Sequence, residues 1–210
     1  DFLYAGAQEG TRQQDVTGME AFHIGMSIMK EAAGDAFILA CGAPMLPSLT
    51  YADAYRTGAD IAFNFDPDPE PAYLRWQARA TAARSWQNGL WWWIDPDQII
   101  IREPFDDTEI SGALVANIVS GGTWLLGDDM SVLPDERLQA ALQAELVDTR
   151  GLVGAPADPL ASPSGMDYGP VAEMNDPDDV VPTIWSLSDG GTALLNLSSP
   201  IDEPARPITP

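Results

Sequence analysis

The stretch LWWWIDPD, Leu90 to Asp97, decides how this chain is read. Its first five residues are bulky and apolar, the content and length of a buried strand. Two acids follow, with Asp95-Pro96-Asp97 patterned as a turn plus a helix cap. A helical pattern comes next, TEISGALVANIVS (108–120), ended by Gly121 and Gly122. Then a second short strand pattern, TWLLG (123–127), is again followed by acids, Asp128 and Asp129. Strand, acids and helix, then strand and acids again, is the rhythm of a β/α protein.

The rhythm extends in both directions. Upstream, AFILAC (36–41) is a continuous apolar run of the kind covered on both faces, broken by GAPMLPS (42–48), and YADAYR (51–56) holds a weaker strand pattern. A helix is expected over about 17–33, with Thr17 and Glu20 as a capping box and Gly34 as the terminal cap. FDPDPEP (65–71) is a loop ending in Pro71, a good first helical residue, and that helix runs to about Asn88. Downstream, PDERLQAALQAELV (134–147) is an amphipathic helix. The opening DFLYAGA (1–7) reads as a strand carrying an acid buried among apolar groups. A lone buried carboxylate is costly and needs a partner or a task. On this reading the chain is the second half of an enzyme, cut at a catalytic aspartate.

After Arg150 the texture changes to Pro, Gly, Asp and Ser, and TIWSLSDGGTALLNLSS (183–199) reads as a hairpin turning at Asp189-Gly190-Gly191. Residues 1–150 are therefore expected to be β/α units, and 151–210 a linker and a β-rich module. Repeated β/α units imply a parallel sheet flanked by helices, either a barrel or an open doubly wound sheet. No G-x-G-x-x-G follows a strand, which disfavours a dinucleotide fold.

Composition narrows the function. There are 32 acids against 10 bases, a formal charge of −22, and Lys30 is the one lysine. Such a surface repels nucleic acid and anionic membranes; it reads as a solvated surface adapted to high salt, ahead of a binding face for a cation or a basic partner. No apolar run approaches the roughly 18 residues of a membrane span. With Cys41 the one cysteine and His23 the one histidine, a Cys cluster or His-rich zinc site is out of reach. His23 reads as structural.

In parallel β/α folds the chemistry sits at the C-terminal ends of strands. Asp1, Asp60, the Asp95–Asp97 pair and the Asp128–Asp129 pair all stand beside strand patterns, and Arg56 joins them. Each acid taken alone reads as turn or cap, and Asp128-Asp129 after Gly127 as turn chemistry. The Trp91–Trp93 run reads chiefly as core, although Trp at a strand end can also stack on a sugar ring. A retaining glycosidase uses two carboxyl groups about 5 Å apart and needs no metal, cysteine or histidine, which suits this composition.

Together, DFLYAGA, ILACGAPMLPS (38–48), YRTGADI (55–61) and WWWIDPDQIIIRE (91–103) resemble the α-galactosidase (melibiase) enzymes of glycoside hydrolase clan D, families 27 and 36. The resemblance implies a partial (β/α)8 TIM barrel, about strands 4 to 8, followed by the start of a small β-sandwich. It implies Asp1 as nucleophile and Asp60, in the R-x-x-x-D pattern Arg56–Asp60, as general acid/base. It further implies that Arg56 binds the 2-hydroxyl, that Cys41 and Gly42 read the substituent at sugar carbon 2, and that Asp97 binds sugar hydroxyls; Trp93 is the candidate stacking residue. Gly42 stands where some family members have Glu, which keeps N-acetyl sugars, arabinopyranosides and glycosyl transfer open beside α-galactoside hydrolysis. The implied partner is an oligosaccharide or glycoside, with no cofactor, no nucleic acid and no membrane; a homo-oligomer is allowed. Two rivals stand beside this. One is a metal-dependent hydrolase using Asp95, Asp97, Asp128 and Asp129; the other is a non-catalytic, carbohydrate-binding barrel.

Overall fold

The computed structural model describes residues 1–61, 71–103, 105–146, 154–156, 184–187 and 190–194. The FDPDPEP loop up to Glu70, most of the Pro/Gly-rich stretch after Arg150 and Asp189 of the hairpin turn lie outside them.

The first sheet is parallel and ordered β1 (Leu39–Ala40), β2 (Ala54–Arg56), β3 (Trp93–Asp95). Leu39 pairs with Ala54 and Ala54 with Trp93; one step on, Ala40, Tyr55 and Ile94 lie side by side. Beyond β3 the 123–127 stretch continues the order. Thr123 N–H donates to the Ile94 carbonyl at 2.9 Å, and Ile99 and Leu126 form a parallel bridge. TWLLG thus takes the expected place beside β3, but by a single bridge and scattered hydrogen bonds rather than a continuous ladder.

α2 (Gly18–Ala33) covers one face of this sheet. It starts at the expected capping box, with Thr17 and Glu20 exchanging hydrogen bonds, and stops at Gly34 with φ of 57°. Phe22 and Met26, four residues apart and so on one helix face, are buried against Ala40, Tyr55, Trp92 and Ile94. Tyr55 and Trp92 stack with ring centroids 4.6 Å apart. The core reading of the Trp run therefore holds for Trp92, while His23 bonds the Tyr51 hydroxyl at 3.1 Å as a structural group would.

α3 (Pro71–Arg84) begins at the expected proline and ends in a 3₁₀ turn over Ser85–Gln87. α4 (Asp107–Ser120) and α5 (Asp135–Leu146) follow β3. Ile99, Ile100, Ile101 and Phe105 form a second core with Ile110 and Leu114 of α4 and Ala141 of α5. Asn88 ties α4 to the sheet: its amide donates to the Ser120 and Gly121 carbonyls and its oxygen accepts from Ile94 N–H.

DFLYAGA is not a strand. Phe2 has φ of 50° and Tyr4–Ala7 forms one helical turn, α1. Leu3 and Ala7, four apart, both pack against the α2 core, so the run carries a helical period rather than an alternating one. Asp1 is exposed, not buried, and its carboxylate accepts the Phe2 N–H at 2.9 Å.

The second sheet is antiparallel. β5 (Ile184–Leu187) and β6 (Thr192–Leu194) form the expected hairpin, with Gly190 at φ of 86° in the turn. β4 (Gly154–Pro156), within the stretch expected to be linker, adds a third strand against β5. Trp185 of β5 is buried against Ala78 and Ala82 of α3 and Val119 of α4. Among the described residues no helix is long and apolar enough to cross a membrane.

Candidate active site

The parallel register places the site. Tyr55 and Ile94 turn toward α2, so their neighbours Arg56 and Asp95, which pair with each other across β2 and β3, turn to the opposite face. Both are the last residues of their strands, at the C-terminal edge where parallel β/α folds assemble chemistry.

Arg56 spreads its guanidinium over three carboxylates. Nε meets Asp95 at 3.2 Å, Nη1 meets Asp60 at 2.8 Å and Nη2 meets Asp97 at 2.8 Å. Asp95 is 1% exposed and Asp97 4%. Taking such ions out of water costs several kcal/mol each, so every acceptor must be filled. Asp95 also accepts from the Thr123 hydroxyl at 2.8 Å and from Asp97 N–H at 3.0 Å. Asp97 accepts from Ile61 N–H at 2.9 Å and from its neighbour Gln98 N–H at 2.7 Å. Asp97 adopts φ of 75°, a left-handed backbone that Asp tolerates better than most residues and that re-aims its carboxylate at Arg56.

The electrostatics follow from one cation facing three acids. Burial opposes the charge of Arg56, yet Asp97 and Asp95 outweigh it and hold the guanidinium above its ordinary range. Burial pushes the Asp97 carboxyl upward, against the pull of Arg56 and its backbone donors, with Asp60 adding to the push. Asp60, whose side chain is 43% exposed, is the member of the cluster open to solvent.

Cys41, which follows the last residue of β1, lies next to this group. Burial raises its thiol above the usual range, Arg56 lowers it, and Asp60 and Asp95 raise it. Gly42, at φ of 57°, accepts the Tyr4 N–H at 2.6 Å. A Cβ on Gly42 would lie 3.4 Å from the Phe2 backbone. Cys41, Arg56, Asp60, Asp95 and Asp97 thus gather at one end of the sheet, while Gly42, next to Cys41, packs against Phe2, the residue after Asp1.

Trp93 opens β3, two residues before Asp95 and so on the same face of the strand; its register partner is Ala54 rather than Arg56, and it is half-exposed. Asp95 was the residue that sequence reasoning undervalued. Its reading as turn or cap is corrected to that of a buried ion-pair partner; the signal that could have found it is the equal position of Arg56 and Asp95 at two strand ends.

Asp128 is corrected likewise. Its side chain is buried, accepts Ile101 N–H at 2.6 Å and pairs with Arg102 at 2.6 Å. Asp129 alone of that pair makes the expected turn, accepting from Ser131 N–H at 3.0 Å. Asp95 and Asp97 therefore face Arg56, Asp128 faces Arg102 and Asp129 faces Ser131. Among the described residues no group of three or more His, Cys, Asp and Glu side chains is arranged to hold a metal ion.

No protein-family model matches the chain. Two solved structures of TtGalA, an alpha-galactosidase from Thermus thermophilus, are similar to it. The complex with p-nitrophenyl alpha-D-galactopyranoside has 24% identity and a TM-score of 0.56, and the match covers 92% of this chain and 36% of that one. The complex with stachyose has 28% identity and a TM-score of 0.50, over 68% of this chain and 32% of that one. The fold is TIM-barrel-related. The chain spans about a third of the length of the alpha-galactosidase chains it matches.

Proposed function

We propose that this chain carries the catalytic carboxylates of a retaining glycoside hydrolase acting on terminal α-linked sugars, α-galactosides first. The observation that carries the reading is the Arg56 cluster: one guanidinium holding Asp60, Asp95 and Asp97 at the C-terminal edge of a parallel sheet, with Cys41 close enough to feel their charges. The similarity to an alpha-galactosidase that binds p-nitrophenyl galactoside and stachyose supports it. Residues 1–150 would form the barrel part and 151–210 the linker and β-rich module.

In this mechanism Asp60 donates its proton to the glycosidic oxygen while the Asp1 carboxylate attacks the anomeric carbon, giving a glycosyl-enzyme. Asp60 then takes a proton from water, which attacks the same carbon and frees Asp1. Arg56 holds Asp60 and offers its two remaining N–H groups to the sugar, Asp97 accepts sugar hydroxyls, and Cys41 and Gly42 border the carbon-2 substituent. No cofactor takes part.

The test is a panel of nitrophenyl α- and β-glycosides with the full gene product. Asp1→Asn and Asp60→Asn should each lower α-galactoside turnover by orders of magnitude, and azide should restore part of the Asp1→Asn loss on an activated substrate. Cleavage of a different α-glycoside keeps the mechanism and moves the specificity toward Gly42. Full activity in either variant ends the assignment.

A further inference from the structure

Between Arg56 and Asp60 the chain makes a tight turn, Thr57-Gly58-Ala59, and the two ends of that turn meet in an ion pair. Its middle is gripped from behind, by the helix that follows. Gln77 of α3 is 3% exposed, and its Nε2 donates to the Thr57 hydroxyl at 3.0 Å. Thr81, one helical turn later and equally buried, lies 2.7 Å from the same hydroxyl. The Thr57 hydroxyl in turn reaches the Asp95 carbonyl at 3.1 Å, and Thr57 N–H donates to that carbonyl at 2.9 Å. A hydroxyl has one proton and two lone pairs. With its proton on the Asp95 carbonyl, Thr57 accepts from both Gln77 and Thr81, so the Thr81 proton points inward and the hydroxyl is saturated.

Gln77 also presses on the turn itself. Among the described residues its Oε1 has no hydrogen-bond partner, and it sits where a Cβ on Gly58 would come to 2.1 Å. An amide oxygen buried without a donor is costly, so its place against Gly58 is set by packing and by the Nε2–Thr57 bond. We infer that Gln77 is a positioning residue: acting through Thr57 and Gly58, it sets the turn that presents Arg56 and Asp60 to the reacting sugar. The inference rests on the function proposed above for its kinetic consequence, but its structural part stands apart from it.

The test uses the full gene product and three variants, Gln77→Leu, Thr57→Val and their combination. Gln77→Leu should keep the fold by circular dichroism and lower kcat on the α-galactoside about tenfold, with KM changing less, because small misplacements of acid groups act on the chemical step. Since Gln77 works through Thr57, the double variant should lose no more than Thr57→Val alone. Additive losses, or an unchanged kcat in folded Gln77→Leu, overturn the inference. Gln77→Met, which also removes the Nε2 donor while filling the same space, replaces Gln77→Leu should the latter fail to fold. Hydrogen exchange over 57–60 gives an answer without any substrate: the Gln77 variant should exchange faster there than wild type, and equal exchange overturns the inference. A gene product that cleaves no glycoside yet shows this faster exchange refutes the proposed function and leaves the role of Gln77 in the turn standing.

Discussion

Arg56 and Asp95 occupy matching positions in the parallel register of β2 and β3, and their side chains close over it, Nε to Oδ2 at 3.2 Å. Because Asp95 and Asp97 are almost wholly buried, Arg56 is their main source of counter-charge as well as the link to half-exposed Asp60. The cluster is therefore both a stability element and the candidate site.

Arg56→Ala should destabilise the protein by about 3–5 kcal/mol, because it leaves two buried carboxylates without their cation. Arg56→Lys should recover only part, since an ammonium cannot offer a planar fork to three acceptors. Urea unfolding measures both. A loss in Arg56→Ala below about 1 kcal/mol, the value of an exposed pair, would contradict this description of the cluster.

Asp97 and Asp53 should respond to pH in opposite ways. The folded-state pKa of Asp97 lies above its ordinary 3.8, first because of burial. The native state thus holds that proton more tightly than the unfolded chain, and lowering the pH through the raised value toward 3.8 stabilises the fold. Asp53 lies below 3.8, first because the Ile38 N–H donates to it, so its stabilisation is present above 3.8 and lost as pH falls through the lowered value. Relative to Asp97→Asn, wild type should gain stability on acidification; relative to Asp53→Asn, it should lose it, in a more acidic window. Urea midpoints across a pH series test this, and parallel curves for all three proteins would refute it.

Gly122→Ala should destabilise and Gly25→Ala should not. A Cβ on Gly122 would come to 2.8 Å from both the Ile94 carbonyl oxygen and Pro96 Cδ, in the seam where the 123–127 stretch meets β3. Backbone cannot yield cheaply, and overpacking of this kind costs about 1–3 kcal/mol. Gly25 lies inside α2 with open space around it, so alanine there should gain about 0.5–1 kcal/mol through helix propensity. Thermal unfolding of the two variants separates them; a Gly122→Ala midpoint equal to wild type would show that the seam is looser than described.

Much of the architecture was legible because it rests on short-range chemistry. The Thr17–Glu20 box, Gly34, Pro71 and Gly121 mark helix ends through hydrogen bonds and backbone angles within a few residues. The reading failed where such signals are ambiguous. DFLYAGA has too few residues for its period to show, and only the packing of Leu3 and Ala7 reveals a helical turn. Gly154–Pro156, in a stretch with the composition of a linker, became a strand because β5 offered it an edge to pair with.

The sequence by itself determined the alternation of strands and helices, the caps that bound them, and the set of acids with Arg56 that any site here would draw on. Tertiary structure alone decided which of those acids meet. Register put Asp95 opposite Arg56, and the left-handed backbone of Asp97 brought a second buried carboxylate to the same guanidinium. Asp128, equal to them in sequence, went to Arg102 instead. The reason is physical. A buried carboxylate is stable only beside a cation and a set of donors, and for Asp95 and Asp97 the cation Arg56 and the donors Thr123 and Ile61 come from segments distant in the chain, joined when parallel strands fall into step.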